Sequence, residues 1–521
     1  MAKLALLSVS DKTGLEAFAQ RLVDDFGYSL ISSGGTAKAL QAAGIPVTKV
    51  SDYTQSPEIL GGRVKTLHPK IHGGILARPD EAADQADLSA NDIQPIDLVV
   101  VNLYPFEQTV AQAGVTLAEA IEKIDIGGPT MVRSAAKNNK YVSILCKPSQ
   151  YDDYLAELAD NGGSATQAAR QRYALAAFEH TAAYDKAIVG YLSQQPLSQQ
   201  DADGSASSSW AMEGSVVSTL RYGENPHQKA TWYQTGASSS GWAAGKILQG
   251  KELSYNNLVD LEAARQIIAE FAGADQPAAA AVLKHNNPCG VALGDSLVEA
   301  YKAAYAGDST SAFGGIVAIN RPLDAATAEE MTKTFLECIV TPHCTEEAKA
   351  VLTKKKNLRV LEMADLLTGP KETVKAIAGG FLVQDADDIV AVTDAWNIVT
   401  EAKPDAALRS ELLFAWKVVR HVKSNAIVVT HNRATLGIGA GQMNRVGAAK
   451  IALEQAGEGT KGAVLASDGF FPFDDSVRNA AAAGIKAIVQ PGGSMRDQDS
   501  IDAANELGIV MVMTGVRHFL H

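Results

Sequence analysis

Short apolar runs alternate with segments of helical period along the first 150 residues. An apolar run at 4–9 is followed by apolar positions at helical spacing over 15–26 and by a second run at 29–31, which predicts β-α-β. The alternation continues with helices predicted at 36–43 and 117–124 and strands at 47–50, 96–102 and 141–146. The pattern predicts a doubly wound α/β domain, with a parallel sheet between two layers of helices.

The rest of the chain repeats this kind of alternation after an interruption. Residues 151–193 are rich in Ala and have a helical period, and 194–209 is a polar tract dominated by Ser, Gln and Asp, which is typical of a linker. Strand-like runs then recur at 279–283, 315–319, 426–430, 463–466, 487–490 and 509–513. We predict a domain at 1–150, a helical connector and linker at 151–210, and a second α/β region at 211–521, which is larger than one usual core.

The second region contains a pattern that suggests an internal duplication. Lys284-x-Asn286 follows an apolar run, Lys423-x-Asn425 follows a helical segment, and each leads to a Gly-rich stretch that we interpret as a turn before a helix. Unrelated α/β units also share such features, so the pattern alone leaves duplication and chance both open.

Composition narrows the class of protein. The 521 residues include 46 Lys and Arg and 59 Asp and Glu, a formal charge of −13, which argues against wrapping nucleic acid. The first residues lack the pattern of a signal peptide, and no apolar run reaches the ~18 residues of a membrane span. The four cysteines form no C-x-x-C pair and are expected to be free, buried thiols. These features predict a cytoplasmic protein without nucleic-acid or membrane partners.

Three segments of the first domain suggest an anion site. Ser10 and Lys12 follow the first strand, Ser33 and Gly34 follow the second, and each segment opens a helix whose N-terminus attracts phosphate. Simple N-capping explains either segment alone, whereas two at adjacent strand ends favour an anion. The run 61–70 adds two glycines and the cations Arg63, Lys65 and Lys70. Neither G-x-x-x-x-G-K-[ST] nor G-x-G-x-x-G occurs in this domain, which disfavours ATP hydrolysis and dinucleotide binding.

Other segments carry groups suited to proton transfer. Tyr104 follows the predicted strand at 96–102, and Asp125 precedes Gly127 and Gly128, although a core tyrosine and an Asx turn would explain both. In the second region, Lys284 stands beside His285 at the end of an apolar strand, where proton transfer and oxyanion stabilisation are both available. A zinc deaminase would require H-x-E and P-C-x-x-C, and neither is complete here. We therefore expect no catalytic metal.

Taken together, these motifs resemble those of one family over the whole chain and in the same order. They are 8–14, 33–36, 61–69, 102–106, 125–128, 220–228, 284–290 and 437–442. The family is that of the bifunctional purine biosynthesis proteins, which combine aminoimidazole carboxamide ribonucleotide (AICAR) formyltransferase with inosine monophosphate (IMP) cyclohydrolase. The resemblance implies a methylglyoxal-synthase-like N-terminal domain and a C-terminal region of two cytidine-deaminase-like α/β units without zinc. It also implies a homodimer whose transferase site lies between the subunits.

The resemblance also implies substrates and site residues. The formyltransferase would move a formyl group from 10-formyltetrahydrofolate to the amine of AICAR, and the cyclohydrolase would close formyl-AICAR to IMP at a separate site. At the cyclohydrolase, Lys65, Tyr104, Asp125 and Lys137 would surround the reacting groups. The residues implied to bind nucleotide there are Ser10, Lys12, Ser33, Gly34, Arg63, Thr66, Gly127 and Gly128.

For the formyltransferase, the resemblance implies His285 as base or proton shuttle, with Lys284 and Asn425 stabilising the oxyanion. The residues implied to contact substrate are Arg221, Tyr222, Phe313, Glu337, Arg445, Asp468 and Arg517. Glu337 stands where the family carries an acid ahead of Ile-x-x-Pro.

Two other classes fit part of the sequence. A nucleotide-binding regulatory protein would explain the segments at 33–36 and 63–70 but would give Lys284 and His285 no role. A nicotinamide-dependent oxidoreductase would require G-x-G-x-x-G after the first strand, and Ser-Asp-Lys-Thr-Gly is found there.

Overall fold

The structure of the protein is a computed structural model that describes residues 3–112, 114–193, 195, 210–236, 239–273, 275–389 and 393–521. Almost all of the polar tract that we predicted as a linker lies outside these residues. The chain divides into two compact units, Met1–Ser208 and Ser209–His521. Among the described residues, no helix combines the length and the apolar character that a membrane span requires.

The first unit contains five strands and ten α-helices among its described residues. The strands are β1 Lys3–Val9, β2 Tyr28–Ser32, β3 Thr48–Lys49, β4 Leu98–Asn102 and β5 Ser143–Leu145. The helices are α1 Leu15–Asp24, α2 Gly34–Ala42, α3 Val50–Thr54, α4 Pro69–Leu76, α5 Ala82–Ala90, α6 Phe106–Val110, α7 Leu117–Glu122, α8 Gly127–Lys137, α9 Tyr151–Asp160 and α10 Gln167–Leu192. Two 3₁₀ turns lie at Leu60–Gly62 and Pro148–Gln150.

The five strands form one parallel sheet in the order β3-β2-β1-β4-β5. This confirms the predicted α/β class. The strand predicted at 47–50 is only two residues long in the structure, because helix α3 already begins at Val50, whose side chain is buried. Helices α9 and α10, predicted as a connector, instead complete this unit. Tyr154 of α9 packs against Phe18 with ring centroids 6.4 Å apart, and Tyr184 of α10 packs edge to face against Phe106 with centroids 6.3 Å apart. The first core therefore extends well beyond residue 150.

The second unit contains sixteen strands and nine α-helices among its described residues. The strands are β6 Ser215–Leu220, β7 Ala230–Gln234, β8 Lys246–Gln249, β9 Ala278–Lys284, β10 Asn287–Gly294, β11 Gly315–Ile319, β12 Leu336–Thr341, β13 Arg359–Glu362, β14 Glu372–Ile377, β15 Gly380–Asp385, β16 Asn397–Ile398, β17 Ile427–His431, β18 Ala434–Gly439, β19 Val464–Ser467, β20 Ala487–Gln490 and β21 Val510–Met513. The helices are α11 Gly241–Ala244, α12 Tyr255–Ala269, α13 Leu297–Gly307, α14 Ala325–Met331, α15 Glu346–Leu352, α16 Ala406–Val419, α17 Arg445–Ala456, α18 Asp475–Ala483 and α19 Asp497–Glu506.

Twelve of these strands form one mixed sheet with an internal repeat. Its order is β16-β21-β20-β19-β17-β18-β10-β9-β11-β12-β13-β8. Read outward from its centre, one half runs β10-β9-β11-β12-β13-β8 and the other runs β18-β17-β19-β20-β21-β16. Each half therefore consists of a strand, a helix, a hairpin and three parallel strands joined by helices. The two halves meet where β10 pairs antiparallel with β18, with Ala292 opposite Ala434.

A glycine at the same place in each half allows a helix to lie close on the hairpin. A Cβ on Gly290 of β10 would lie 2.0 Å from the carbonyl oxygen of Ala304 in α13. A Cβ on Gly437 of β18 would lie equally close, 2.0 Å, to the carbonyl oxygen of Ala452 in α17. Since real Cβ atoms do not approach so closely, both positions require glycine.

The repeat exists, but its register differs from our prediction. Lys284 pairs with Asn287 across a two-residue turn, and His431 pairs with Ala434 across the equivalent turn. The counterpart of Lys284 is therefore His431, whereas Lys423 precedes the start of β17 at the other end of the strand. We also predicted a turn leading to a helix after Asn286, which is wrong, because 287–294 form strand β10. All four cysteines are free and buried, as predicted.

Candidate functional site

In the first unit, the predicted segments meet at the carboxyl ends of β1, β2 and β4. The Asn102 side-chain oxygen accepts hydrogen bonds from the main-chain N–H groups of Ser10 (2.6 Å) and Asp11 (2.9 Å) and from the Ser10 hydroxyl (2.9 Å). Thr36 at the start of α2 exchanges hydrogen bonds with the main chain of Val9 at 3.0 Å. These bonds fix the loops around the strand ends, where ligands bind in parallel α/β sheets.

Two lysines lie at the N-terminus of α2. Lys65 Nζ lies 3.7 Å from where a Cβ on Gly34 would be, and Lys12 Nζ lies 3.8 Å from the equivalent point on Gly35. Ser33, the residue that precedes the helix, is 4% exposed, and its hydroxyl has no hydrogen-bond partner among the described residues. Free helix N–H groups, two ammonium groups and a buried hydroxyl without a partner among the described residues are suited to binding an anion, and we call this candidate the anion site.

Asp125 lies beside this anion site. Its carboxylate accepts the N–H of Gly128 at 2.9 Å, and its own N–H donates to the Tyr184 hydroxyl at 2.8 Å. Burial raises the pKa of Asp125, while the N–H groups of Gly127, Gly128 and Tyr104 and the charge of Lys65 act in the opposite direction. The predicted acid and its neighbouring cation are thus brought together.

Gly127 and Gly128 fit tightly against this group. A Cβ on Gly127 would lie 2.9 Å from the Thr66 hydroxyl, and a Cβ on Gly128 would lie 2.3 Å from an Asp125 carboxylate oxygen. The Tyr104 side chain is 41% exposed just beyond β4. The two glycines are therefore required for Thr66 and Asp125 to keep their positions.

Two predicted residues are not brought to this group. Arg63 is exposed and forms an ion pair with Glu122. Lys137 is the last residue of α8, about 15 Å along the helix axis from Gly127 at ~1.5 Å per residue. Within one chain, neither side chain contacts Asp125 in the structure.

In the second unit, Lys284 and His285 lie where β9 ends, near the middle of the twelve-stranded sheet. The row of strand ends and turns on this side of the sheet is what we call its edge, as distinct from an outer strand. His285 and Asn286 form the turn between β9 and β10, with φ of 53° and 62°, a conformation typical of two-residue hairpin turns. Asp260 in α12 accepts the N–H of Asn286 at 2.7 Å, and Lys284 Nζ donates to the carbonyl oxygen of Phe313 at 2.8 Å. The imidazole of His285 is exposed at this edge.

Asn425 lies at the same edge, within a buried network. Its side-chain oxygen accepts from Arg445 Nη2 at 2.8 Å, and its amide nitrogen donates to the Gln442 carbonyl at 2.9 Å. Arg445 also forms an ion pair with the fully buried Asp468, which accepts the Ser424 hydroxyl at 2.5 Å. The Arg445 side chain is only 6% exposed. Arg445 and Asp468 therefore hold Asn425 in place.

A cavity of about 290 Å³ opens beside Asn425, and its wall includes Gln442, Phe519 and His521. Lys423 bridges the two halves of the sheet at this point: its N–H donates to Asn287 at 3.1 Å and its Nζ donates to the His521 carbonyl at 2.8 Å. Burial lowers the pKa of Lys423. The C-terminal segment thus forms one wall of the site.

The structure also places the other residues of this unit that were predicted to contact substrate. Arg221 lies over the Tyr222 ring, 5.3 Å from its centroid, and the same segment reaches α12 through a hydrogen bond from Asn256 to Glu224. Glu337 forms an ion pair with Arg359 at 2.7 Å. Arg517 lies 4.3 Å from the centroid of the Phe519 ring.

Several residues that shape the two sites were not among our candidates. They are Asn102, Tyr184, Asp260, Lys423 and Ser424. Lys423 and Ser424 precede Asn425 directly, and this polar run before a buried strand was an available signal. Asp260 and Tyr184 lie on helices far along the chain from their partners, and no local pattern marks them. Among the described residues, no three His, Cys, Asp or Glu side chains are grouped to hold a metal ion.

Comparison with known proteins gives matches along the whole chain. A family model described as AICARFT/IMPCHase bienzyme matches residues 135–455, and one for an MGS-like domain matches residues 14–130. The bifunctional purine biosynthesis protein PurH of Nostoc punctiforme is 67% identical over 522 residues, and that of Synechococcus elongatus is 68% identical over 521 residues. Both alignments cover 100% of this chain and of the relative. The crystal structure of ForH covers 37% of this chain, with 36% identity and a TM-score of 0.34.

Proposed function

The chain belongs to the family of AICARFT/IMPCHase bienzymes, and from that premise we propose which residues carry its two activities. It is a bifunctional AICAR formyltransferase and IMP cyclohydrolase, and it performs the last two steps of IMP biosynthesis. Our prediction of function from the sequence is confirmed at this level.

We assign ring closure to the first unit. The N-terminus of α2, with Lys12, Ser33 and Gly34, binds the phosphate of formyl-AICAR. Lys65 polarises the formyl oxygen while the carboxamide nitrogen attacks the formyl carbon and the new N–C bond forms. Asp125 accepts a proton from the attacking nitrogen and passes it to the former formyl oxygen, whose bond to carbon breaks as water leaves; the second proton of that water comes from the formamide N–H. Because both reacting groups belong to one molecule, holding it folded supplies much of the rate. Tyr104 stays a candidate for proton donation, and Lys137 and Arg63 remain untested predictions.

We assign formyl transfer to the edge of the twelve-stranded sheet. The AICAR amine attacks the formyl carbon of 10-formyltetrahydrofolate, the new C–N bond forms, and the bond from that carbon to N10 breaks. His285 takes the amine proton and delivers it to N10, so that tetrahydrofolate leaves neutral at that nitrogen. Lys284 and Asn425 stabilise the oxyanion that develops on the formyl oxygen. Arg445 and Asp468 act through Asn425, as positioning residues.

One observation supports the second assignment above the others: side chains from both halves of the sheet converge on one edge. Lys284 and His285 come from the first half, and Lys423 and Asn425 come from the second, joined by the Lys423–Asn287 hydrogen bond. A nucleotide-binding regulatory protein would have no use for a lysine, an imidazole and an amide at one edge of the sheet.

The decisive experiment separates the two activities in the full chain. We expect His285→Ala to reduce formyl transfer by about 10²–10⁴-fold, measured as formation of IMP from AICAR and 10-formyltetrahydrofolate, while ring closure of supplied formyl-AICAR is unchanged. Lys65→Ala should reduce ring closure by about 10²–10³-fold and leave formyl-AICAR accumulating. Parallel loss of both activities in variants with wild-type circular dichroism would refute the assignment of separate sites.

The remaining predictions concern partners. We infer that two copies of the chain associate, and apolar side chains exposed on the hairpin β14–β15 support this: Ile377 is 51% exposed and Leu382 is 57% exposed. The metabolite set of AICAR, formyl-AICAR, IMP and a reduced folate is consistent with the predicted cytoplasmic location.

A further inference from the structure

The segment 514–521, which follows β21, has one buried side chain between two exposed ones that were predicted or observed to face the transfer site. Exposure alternates from Arg517 to His518 to Phe519, and within this fully described segment only His518 is buried, at 3% exposure. This alternation is the pattern of an extended chain, whose successive side chains face opposite directions. The direction in which His518 is held therefore sets the direction of Arg517 and Phe519.

Two contacts hold the His518 side chain. Its Nδ1 lies 2.6 Å from Oδ2 of Asp387, and its ring packs against the ring of Trp416 in α16 with centroids 5.2 Å apart. Trp416 is 2% exposed and provides an apolar surface. Packing on such a surface tolerates rotation of the imidazole, whereas a hydrogen bond is directional. The hydrogen bond to Asp387 therefore fixes the orientation of His518.

Asp387 comes from a distant part of the chain, 131 residues before His518. It lies two residues after the end of the hairpin β14–β15. The guanidinium of Arg420, just after α16, donates to the Ile389 carbonyl at 3.0 Å and to the main-chain carbonyl of Asp387. The main chain at this point is thus held without help from the Asp387 carboxylate.

The Asp387 carboxylate is also not needed to neutralise Arg420. Glu270, just after α12, pairs with Arg420 at 2.9 Å, whereas Asp387 Oδ1 lies 3.5 Å away. Burial raises the pKa of Asp387, but the hydrogen bond and charge of His518 and the charge of Arg420 outweigh burial and lower it. An ionised carboxylate can only accept, so His518 Nδ1 donates. Holding His518 is what remains for this carboxylate to do.

We propose that Asp387 is a positioning residue of formyl transfer. It anchors His518, and through that anchor it directs Arg517 and Phe519 toward the transfer site. The inference rests on the proposed assignment of formyl transfer to this edge and of Arg517 as a nucleotide contact. A guanidinium held in a fixed direction can bind a phosphate through two parallel hydrogen bonds. Since 514–521 has no regular secondary structure, release of the anchor weakens substrate binding before it affects chemistry.

The test measures steady-state kinetics of the full-length enzyme with AICAR and 10-formyltetrahydrofolate. We expect Asp387→Ala and His518→Leu each to raise the KM for AICAR about tenfold, the loss typical of one hydrogen bond to a charged group. The kcat should change much less, and ring closure of supplied formyl-AICAR should stay unchanged. A merely structural role would lower the active fraction and with it the apparent kcat, and would leave KM unchanged.

Two further variants test whether Asp387 acts through His518. The double variant Asp387→Ala/His518→Leu should have the same KM for AICAR as the single variants, because each change removes the same contact. His518→Asn keeps an N–H donor at the position of Nδ1 and should restore the KM of the wild type. Asp387→Asn, which keeps the shape of the side chain, replaces Asp387→Ala in these comparisons if the alanine variant does not fold.

Hydrogen exchange followed by mass spectrometry gives a readout that does not depend on activity. The N–H of His518 donates to the Asp468 carbonyl at 3.2 Å, and the N–H of Leu520 donates to the Ser424 hydroxyl at 3.1 Å. We expect the C-terminal peptide to exchange faster in the variant at Asp387 than in the wild type, because its anchor is lost.

Glu262→Ala is the matched control. Its carboxylate is also partly exposed and pairs with a buried arginine, Arg265, at 2.6 Å in α12 of the same unit. The control loses the same charge and a comparable ion pair, but it does not contact the C-terminal segment. The KM for AICAR and the exchange of the C-terminal peptide should both stay at wild-type values.

The possible failures are distinguishable. An unchanged KM for AICAR in His518→Leu and in a folded variant at Asp387 would overturn the proposal. Additive increases in the double variant would overturn it as well, since Asp387 would then act by another route, and so would an equal increase in Glu262→Ala. Absence of formyl transfer from 10-formyltetrahydrofolate in the wild type would instead contradict the proposed function, while hydrogen exchange would still report on the anchor.

Discussion

Asp125 is the acid that we assign to ring closure, and its burial has a consequence for stability. Because burial raises its pKa in the folded protein, the folded state binds the proton more tightly than the unfolded state does. The ionised carboxylate therefore destabilises the fold at pH values above both pKa values, and this cost disappears as pH falls below the ordinary pKa of about 4.

We expect Asp125→Asn to unfold at a higher temperature than wild type at pH 7.5, with the difference shrinking as pH approaches about 4. Asn keeps an oxygen for the N–H of Gly128 and removes only the charge. Thermal unfolding followed by circular dichroism at several pH values measures the effect. A difference between the two proteins that does not vary with pH would show that charge is not its cause.

Gly128 offers a sharper test of geometry at the same place. A methyl group there would lie 2.3 Å from the Asp125 carboxylate and 2.7 Å from Leu103, so Gly128→Ala must displace the acid. We expect ring closure to fall about 100-fold, the loss typical of a 1 Å misplacement, with formyl transfer unchanged. Gly190→Ala in α10 is the matched control, because a Cβ there meets nothing within 4 Å. Retention of ring closure by Gly128→Ala would rule out the assigned position of Asp125.

Candidate site residues next to strands are easier to identify from the sequence than those on helices. Ser10, Ser33, Lys284 and Asn425 all lie at strand ends, where apolar runs mark the position. Asp260 carries no such mark, since its meaning depends on a partner 26 residues away. Arg445 was predicted as a nucleotide contact from resemblance, and only the structure shows that it donates a hydrogen bond to Asn425 while it forms a buried ion pair with Asp468.

At the scale of elements, the C-terminal segment after β21 lines the cavity beside Asn425. Ser424 exchanges hydrogen bonds with Leu520, Lys423 holds the His521 carbonyl, and His518 pairs with Asp387 at 2.6 Å. No regular helix or strand holds residues 514–521. The segment thus depends on these side-chain contacts for its position.

We expect a chain that ends at His518 to lose formyl transfer about 100-fold while ring closure is retained. Removing residues 519–521 deletes the Phe519 wall and frees the Lys423 ammonium group. Assaying both activities in the same preparation gives the internal control, since only one site includes this segment. Full formyl transfer by the shortened chain would show that the wall is dispensable.

The two hairpins explain why the sequence indicated a repeat but did not give its register. Asp260 in α12 accepts the N–H of Asn286, and Glu411 in α16 accepts the N–H of Arg433 at 2.7 Å, so each helix holds its turn with an acid at its sixth residue. The side chains at the turns differ, however, because one turn carries Lys284 and His285 and the other carries His431 and Asn432. Equivalent backbone roles with different side chains leave no repeated motif to detect.

At the scale of the whole molecule, the residues assigned to each activity lie within one unit. Alternation of apolar runs was enough to predict two α/β regions, since buried parallel strands are apolar throughout. The extent of the first core was not predictable, because Ala-rich helices such as α10 look alike whether they pack on a core or connect two. Only contacts such as that of Phe106 with Tyr184 assign α10 to the first core.

We expect residues 1–208 expressed alone to close formyl-AICAR to IMP at a rate within a fewfold of the full chain, because the unit contains its own core and all assigned cyclohydrolase residues. Residues 209–521 should not close the ring. The measurement is IMP formation from supplied formyl-AICAR, with circular dichroism to confirm folding. A folded but inactive 1–208 fragment would show that ring closure needs groups from elsewhere.

The pairing of β10 with β18 has a consequence for how such a gene can be divided. A break near residue 209 leaves each set of assigned residues whole on one product. A break between the halves of the large sheet would separate Lys284 and His285 from Lys423 and Asn425, and would leave β10 and β18 as bare apolar edges prone to aggregate. Gene fission is therefore compatible with this architecture at the first boundary and excluded at the second, although the second separates two similar folds.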